Sequence, residues 1–348
     1  MNSDNKKALM SVLANEKPHR RPLWFMRQAG RYLEEYRNLR KTAGSFLDLC
    51  YNPDFAAEVT IQPLRRFDLD AAILFSDILV VPQAMGSELG FVQNEGPKLS
   101  VTRSMADVEK LELSRVNEFL DPVFNTIKTV KPELDSHVAF IGFCGAPWTV
   151  ATYMIEGGTS QDRFLSKKAA FSGETWFDVL IDKLIIASID YLEAQVRAGV
   201  EVIQIFDSWA SDLPDLQREK YCYKPIAKIV AGLRERGVQV PIIGFAKGLG
   251  AGQLDFVKAI DMQGIGVESS LPVNWIRENL IDKVAVQGNL DPVLLDIGGP
   301  GLKENVRHIV SNIPMDRHIF NLGHGVRQTT EVDHIHIMVD TVREFDGS

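Results

Sequence analysis

The feature that most constrains this chain is an eightfold recurrence. A short apolar, β-rich run ends in polar or glycine residues and is followed by a helical pattern, at 22–26, 71–75, 138–143, 202–206, 240–245, 264–267, 284–287 and 318–322. Apolar runs without alternation mark parallel strands covered on both faces. Between them apolar positions fall at helical spacing, as at Leu180, Leu184, Ile185, Ala187, Ile189 and Leu192 ahead of the fourth run. No linker-like or low-complexity tract interrupts the 348 residues. Eight β-then-α units in one unbroken chain predict an α/β fold, a single-domain (β/α)8 TIM barrel over 1–348. Residues 1–20 precede the first run and read as a short N-terminal extension. A doubly wound sheet is the second choice.

Charge and cysteine content narrow the function classes. Lys and Arg number 38 against 46 Asp and Glu, a net charge of −8, which argues against non-specific nucleic-acid binding. Cys50, Cys144 and Cys222 are widely spaced and form no CxxC, so neither a disulfide framework nor a zinc knuckle is written here. A reducing compartment fits. Residues 1–20 have no apolar stretch of the kind a secretory signal needs, and no run is long enough to span a membrane. The expectation is a cytoplasmic protein acting on a small molecule.

In a barrel the active site is built where the strands end. Here those positions carry residues 27–31, Ser76 and Asp77, 144–148, Asp207 and Ser208, 246–248, 268–270, 288–291 and 323–325. Polar, charged and glycine residues thus cluster at one end of nearly every strand, the sequence signature of an enzyme.

Three constellations stand out there. Arg27 and Arg31 are four apart, with Arg37 and Arg40 following. Arginine forks grip carboxylates bidentately, so such a cluster on an acidic protein points to a polyanionic substrate. The competing reading is a solvated helix in which Arg31 pairs with Glu34 or Glu35. Asp77 is flanked by apolar residues on both sides and is a candidate for catalysis or for binding N–H donors. Against that stands an N-cap supplied by Ser76 or Asp77, although Pro82 and Gly86 argue against an immediate helix. His324 lies between Gly323 and Gly325, which let the backbone approach a ligand closely. His334 and His336, two apart, face different sides of a helix and are no chelating pair. The glycine-rich 248–252 segment lacks the third glycine of a dinucleotide fingerprint, since Gln253 stands in its place.

Two long segments go further. PLWFMRQAGRYL at 22–33 and GFCGAPWTVATYMIEG at 142–157 resemble the signature segments of the uroporphyrinogen decarboxylase family. FSDI at 75–78, QGNLDP at 287–292 and NLGHG at 321–325 extend the resemblance to the end of the chain. It implies a (β/α)8 barrel, a homodimer, and removal of carbon dioxide from the four acetate side chains of uroporphyrinogen to give coproporphyrinogen, without metal or organic cofactor. It also implies that Arg27, Gln28, Ala29, Gly30, Arg31, Arg40, Asp77, Tyr153, Ser208 and His324 contact substrate. Asp77 and Arg27 are the catalytic candidates among them. The chain departs from the family pattern at Glu34, near Glu268 and Ser269, and at 327–330, none of which belongs to that set.

The chemistry suits these residues. A central carboxylate accepts from several pyrrole N–H groups at once, and its fixed charge stabilises a pyrrole made cationic by protonation. Two rivals remain. A related barrel family transfers methyl groups from corrinoid proteins with zinc held by a His-x-Cys motif, which none of the three cysteines here completes. A non-catalytic tetrapyrrole carrier explains the arginines but not Asp77. Decarboxylation is therefore expected to survive exhaustive dialysis against a chelator. Activity lost on dialysis and restored by zinc would return the methyltransferase reading.

Overall fold

A computed structural model of the chain describes residues 6–92 and 95–346. Seven parallel strands, β1 (Ala71–Ile73), β4 (Ala139–Gly145), β5 (Val202–Asp207), β6 (Ile242–Ala246), β7 (Gly264–Gly266), β8 (Ala285–Gln287) and β9 (His318–Ile319), pair in that order. They correspond to seven of the eight expected runs, and nearly every strand residue is buried. Helices return the chain outside the sheet. The longest, Thr175–Ala198, buries all six apolar positions whose spacing predicted it.

The first run supplies the eighth stave without forming a regular strand. Leu23 makes a parallel bridge to Phe320, Trp24 N donates to Phe320 O at 3.3 Å, and Phe320 N donates to Pro22 O at 2.8 Å. On the other side Asp70 N donates to Leu23 O at 2.8 Å. The ladder is irregular because side chains take its place. Leu23 N donates to Asp70 Oδ2 at 2.7 Å and Met26 N to Asn321 Oδ1 at 3.0 Å. Residues 22–26 therefore close the cylinder between β9 and β1.

Asp70 fastens this seam. Its side chain is 1% exposed and, besides Leu23 N, accepts from Arg20 Nε and Arg343 Nη2, each at 2.7 Å. Arg343 also donates to Arg21 O at 2.7 Å, bringing the last helix, Val332–Asp346, onto the first stave. Inside the cylinder Trp24 Nε1 donates to Gln287 Oε1, whose amide in turn donates to Gln204 Oε1.

Of the extension expected over 1–20, residues 1–5 lie outside the described residues. The remainder is part of the barrel's floor. Helix Ala8–Leu13 buries Leu9, Val12 and Leu13, and Leu13 sits where a side chain at Gly264 would have to go. Lys7 Nζ bonds Val138 O and the Glu201 carboxylate at the entrance to β4 and β5.

One local expectation fails. The helix Val80–Ala84 begins directly after Asp77, despite Pro82. Pro82 lies in the first turn, where its missing N–H has no intrahelical partner to lose. An antiparallel hairpin, β2 (Leu89–Val92) and β3 (Gly96–Leu99), follows outside the barrel.

Asp70→Ala is expected to lose about 1–3 kcal/mol of stability, because the buried Leu23 N–H is left without its acceptor while Arg20 and Arg343 keep Asp68. Urea unfolding checks this. A loss below 1 kcal/mol would show that the seam is held by packing alone.

Candidate active site

The path into the site starts at Arg27. After Met26 the backbone turns through a left-handed conformation at Arg27, φ 62°. That turn alternates the side chains, leaving Arg27 exposed and Gln28 buried. Two further bonds set the turn: Val326 N donates to Met26 O at 2.9 Å, and Tyr32 Oη donates to Gln28 O at 2.6 Å. Arg27 lies against Gly325, where an added Cβ would collide with its Cγ and Cδ. An added Cβ at Gly323 would collide with Ser269. The glycines beside His324 thus admit neighbouring loops.

Asp77 emerges from the end of β1, half-buried, with Oδ1 accepting from Leu79 N at 2.9 Å. It does not cap the helix, whose N-cap is Leu79. Burial pushes its carboxyl up, while the Leu79 N–H and the Arg27 guanidinium pull it back down. Tyr153, on the helix Pro147–Glu156 after β4, is pushed up by burial and by the Asp77 charge, and lowered by Arg27. His324, at the end of the β9 run, is pushed down to about 4 by burial and by the positive charges of Arg27 and Lys247. Arg27, Asp77, Tyr153, His324 and Lys247 thus act on one another across a single barrel mouth. Among the described residues, no ion-pair partner within 4 Å holds Arg27, Arg31 or Lys247.

Ser208 follows β5 and is half-buried. Its neighbour Asp207 is fully buried, pushed up to about 6 by desolvation, and accepts from Thr149 Oγ1 at 2.5 Å. That bond ties the β5 end to the Tyr153 helix. Ala29 and Gly30 are partly exposed along the turn after Arg27. Arg31 is exposed and pairs with neither glutamate, because Glu35 is held by Arg66 at 2.8 and 2.9 Å.

Two of the expected residues have their side chains engaged within the protein. Gln28 is wholly buried, with its amide donating to Ala71 O and accepting from Phe25 N, so its side chain locks the first stave to β1. Arg40 Nη1 donates to Gly44 O at the end of the helix Glu34–Ala43. Sequence reasoning placed Lys247 at the β6 end but did not choose it as a site residue. It missed Trp209, whose ring meets Tyr153 edge-on at 5.5 Å.

The uroporphyrinogen decarboxylase (URO-D) family model matches residues 4–345. This chain belongs to the uroporphyrinogen decarboxylase family. It is 46% identical over 341 residues to a uroporphyrinogen decarboxylase of Rhodospirillum rubrum, covering 98% of each chain. Its identity to one of Agrobacterium fabrum is 42%, covering 99% of each. Among solved structures a methyltransferase from Methanosarcina mazei superposes with a TM-score of 0.77 at 20% identity, covering 97% of this chain and 98% of that one. A putative vitamin-B12 independent methionine synthase from Listeria monocytogenes gives 0.56 at 12% identity, over 94% and 97%. These two likenesses establish a shared barrel fold. The barrel mouth brings together Arg27, Asp77, Tyr153 and His324, four of the residues that the sequence resemblance singled out.

Because its pKa lies below that of an unfolded histidine, His324 stays neutral in the free protein while the unfolded chain takes up its proton near pH 6.5. Its contribution to stability therefore falls as pH drops from about 6.5 towards 4. Imidazole NMR should show no His324 protonation between pH 7.5 and 5.5, and a titration step above pH 6 would contradict the cationic surroundings.

Proposed function

We propose that this protein decarboxylates the four acetate side chains of uroporphyrinogen to yield coproporphyrinogen. Family membership over nearly the whole chain supports the reaction. The observation that carries the mechanism is the placement of Asp77. Its carboxylate is desolvated, has one oxygen engaged by Leu79 N, and lies within the field of an unpaired arginine.

The substrate is a flexible macrocycle with eight carboxylates and four inward-pointing N–H groups. Asp77 accepts from those N–H groups and folds the rings around its charge. Protonation of a pyrrole carbon beside the acetate makes that ring cationic. The bond to the carboxylate carbon then breaks, its electron pair passes into the ring, and carbon dioxide leaves. Protonation of the resulting exocyclic methylene gives the methyl group, and loss of the added ring proton restores the pyrrole. Asp77 stabilises the cation throughout by preorganised charge.

Arg27 and Arg31 grip peripheral carboxylates, and Tyr153, Ser208 and His324 set which acetate faces Asp77. Arg27 or a water that it orients delivers the proton. No metal or organic cofactor enters this chemistry. A corrinoid-linked zinc reading is disfavoured by the donor set: no histidine stands two residues before any of the three cysteines, and among the described residues no three His, Cys, Asp or Glu side chains gather as a metal site would need. The same reading carries a homodimer, a cytoplasmic location and a single barrel domain extended at its N-terminus.

Incubation with uroporphyrinogen and detection of carbon dioxide and coproporphyrinogen tests the reaction, and their absence would refute it. Asp77→Asn should lower turnover by ~10²–10³ with an unchanged melting temperature, and Asp77→Glu should retain more activity. An active, stable Asp77→Asn protein would end the catalytic assignment.

A further inference from the structure

Arg163 lies outside every strand end and every motif of the sequence analysis, yet it is half-buried and held from several sides. It sits in a left-handed turn, φ 52°, in which its N–H donates to Ser160 Oγ and its Nη1 to Ser160 O. Its fork closes on Asp212, Nε to Oδ2 and Nη2 to Oδ1, the latter at 2.7 Å. Only 17% of the Arg163 side chain and 12% of the Asp212 side chain are exposed. A bidentate, partly buried pair is fixed in a way that single surface ion pairs are not.

The same guanidinium stacks on the Trp209 ring, 3.9 Å from its centroid. Trp209 is held on its backbone side as well: its N–H donates to Thr149 Oγ1 at 3.3 Å, and its carbonyl accepts from Trp148 Nε1 at 3.0 Å. With backbone and ring both held, Trp209 presents its ring to the edge of Tyr153 at 88°. Its buried Nε1–H has no acceptor within hydrogen-bonding distance. Tyr153 is in turn the aromatic residue that feels both Asp77 and Arg27.

The segment leading to Arg163 is anchored at its other end too. Leu99 N donates to Gly157 O, and Thr159 Oγ1 donates to Glu95 O, so the β2–β3 hairpin holds its start. The chain between Gly157 and Arg163 thus runs as a strap between the hairpin and Asp212.

We propose that Arg163 is a positioning residue: locked by Asp212, it clamps Trp209 against Tyr153 and so fixes the Tyr153 phenol beside Asp77 and Arg27. The inference rests on the reading that Tyr153 meets the substrate. Arg163 itself touches none of the reacting atoms. Its influence passes through two aromatic rings, and displacement of a positioning group by about 1 Å can cost up to ~10²-fold in rate.

The test uses the full-length protein and six variants: Arg163→Gln, Arg163→Lys, Tyr153→Phe, the Arg163→Gln/Tyr153→Phe double variant, and Trp209→Phe with and without Arg163→Gln. With uroporphyrinogen, Arg163→Gln should lower kcat by about 10- to 100-fold with little change in KM. Arg163→Lys keeps the charge but loses the planar fork, so it should restore little. The double variant should be no slower than Tyr153→Phe, because both changes break one chain of contacts. A readout independent of turnover is tryptophan emission. Arg163→Gln should shift it to the red, and the shift should vanish in a Trp209→Phe background.

Unchanged kcat in Arg163→Gln, or an undiminished loss on top of Tyr153→Phe, overturns the proposal. So does a melting temperature that falls while kcat holds, which is the mark of a purely structural pair. If the wild-type protein releases no carbon dioxide, the proposed function fails, and the emission comparison alone decides whether the clamp exists.

Discussion

Closure of the barrel depends on Asp70. One buried carboxylate takes the backbone N–H of Leu23 and two guanidinium groups, from Arg20 and Arg343. It thereby joins the first stave, the start of β1 and the last helix at one point. Desolvating a carboxylate is costly, and only full saturation of its lone pairs makes such burial favourable. Arg27 is carried by the stave that this junction holds. The register of the first stave sets where residues 27–31 leave the barrel, so the cleft's main cationic segment is indexed to a charge cluster at the opposite end of the strand.

At the other end the electrostatics are left incomplete. Arg27, Arg31 and Lys247 have no ion-pair carboxylate within 4 Å among the described residues, and burial together with two of them, Arg27 and Lys247, keeps His324 neutral. On a chain of net charge −8, such uncompensated cations concentrate positive potential where the rest of the surface repels anions. Asp77 is the contrary element, a negative charge at the centre of a cationic rim. A ligand with carboxylates outside and N–H donors inside meets both signs in the right places.

Much of this was legible in the chain. Unalternated apolar runs are forced on strands that are covered on both faces, so all eight staves could be counted before any coordinates. Asp77 and His324 were readable because the barrel rule places polar strand-end residues together, whereas Tyr153, on the helix after β4, came only from the family resemblance. What failed was side-chain direction. Gln28 and Arg27 are adjacent in one motif, yet the left-handed turn at Arg27 sends one inward and the other out, and no periodicity reports such a turn. Pro82 was misread because its effect depends on which turn of a helix it occupies. Trp209 and Arg163 were invisible for a different reason. Their roles rest on the pairing of Arg163 with Asp212, 49 residues away, and on a ring orientation that composition does not encode.

The irregular first stave has a consequence for how the molecule comes into being. Met26 waits for Asn321, 295 positions later in the chain. At ~5–20 residues per second, ribosomal synthesis separates the two by roughly 15–60 s. For that interval Leu23, Trp24 and Phe25, all buried in the finished barrel, have no β9 to lie against. The cylinder cannot shut until its last strand emerges, which makes the newly made, unclosed sheet the species most exposed to misassociation and to capture by chaperones.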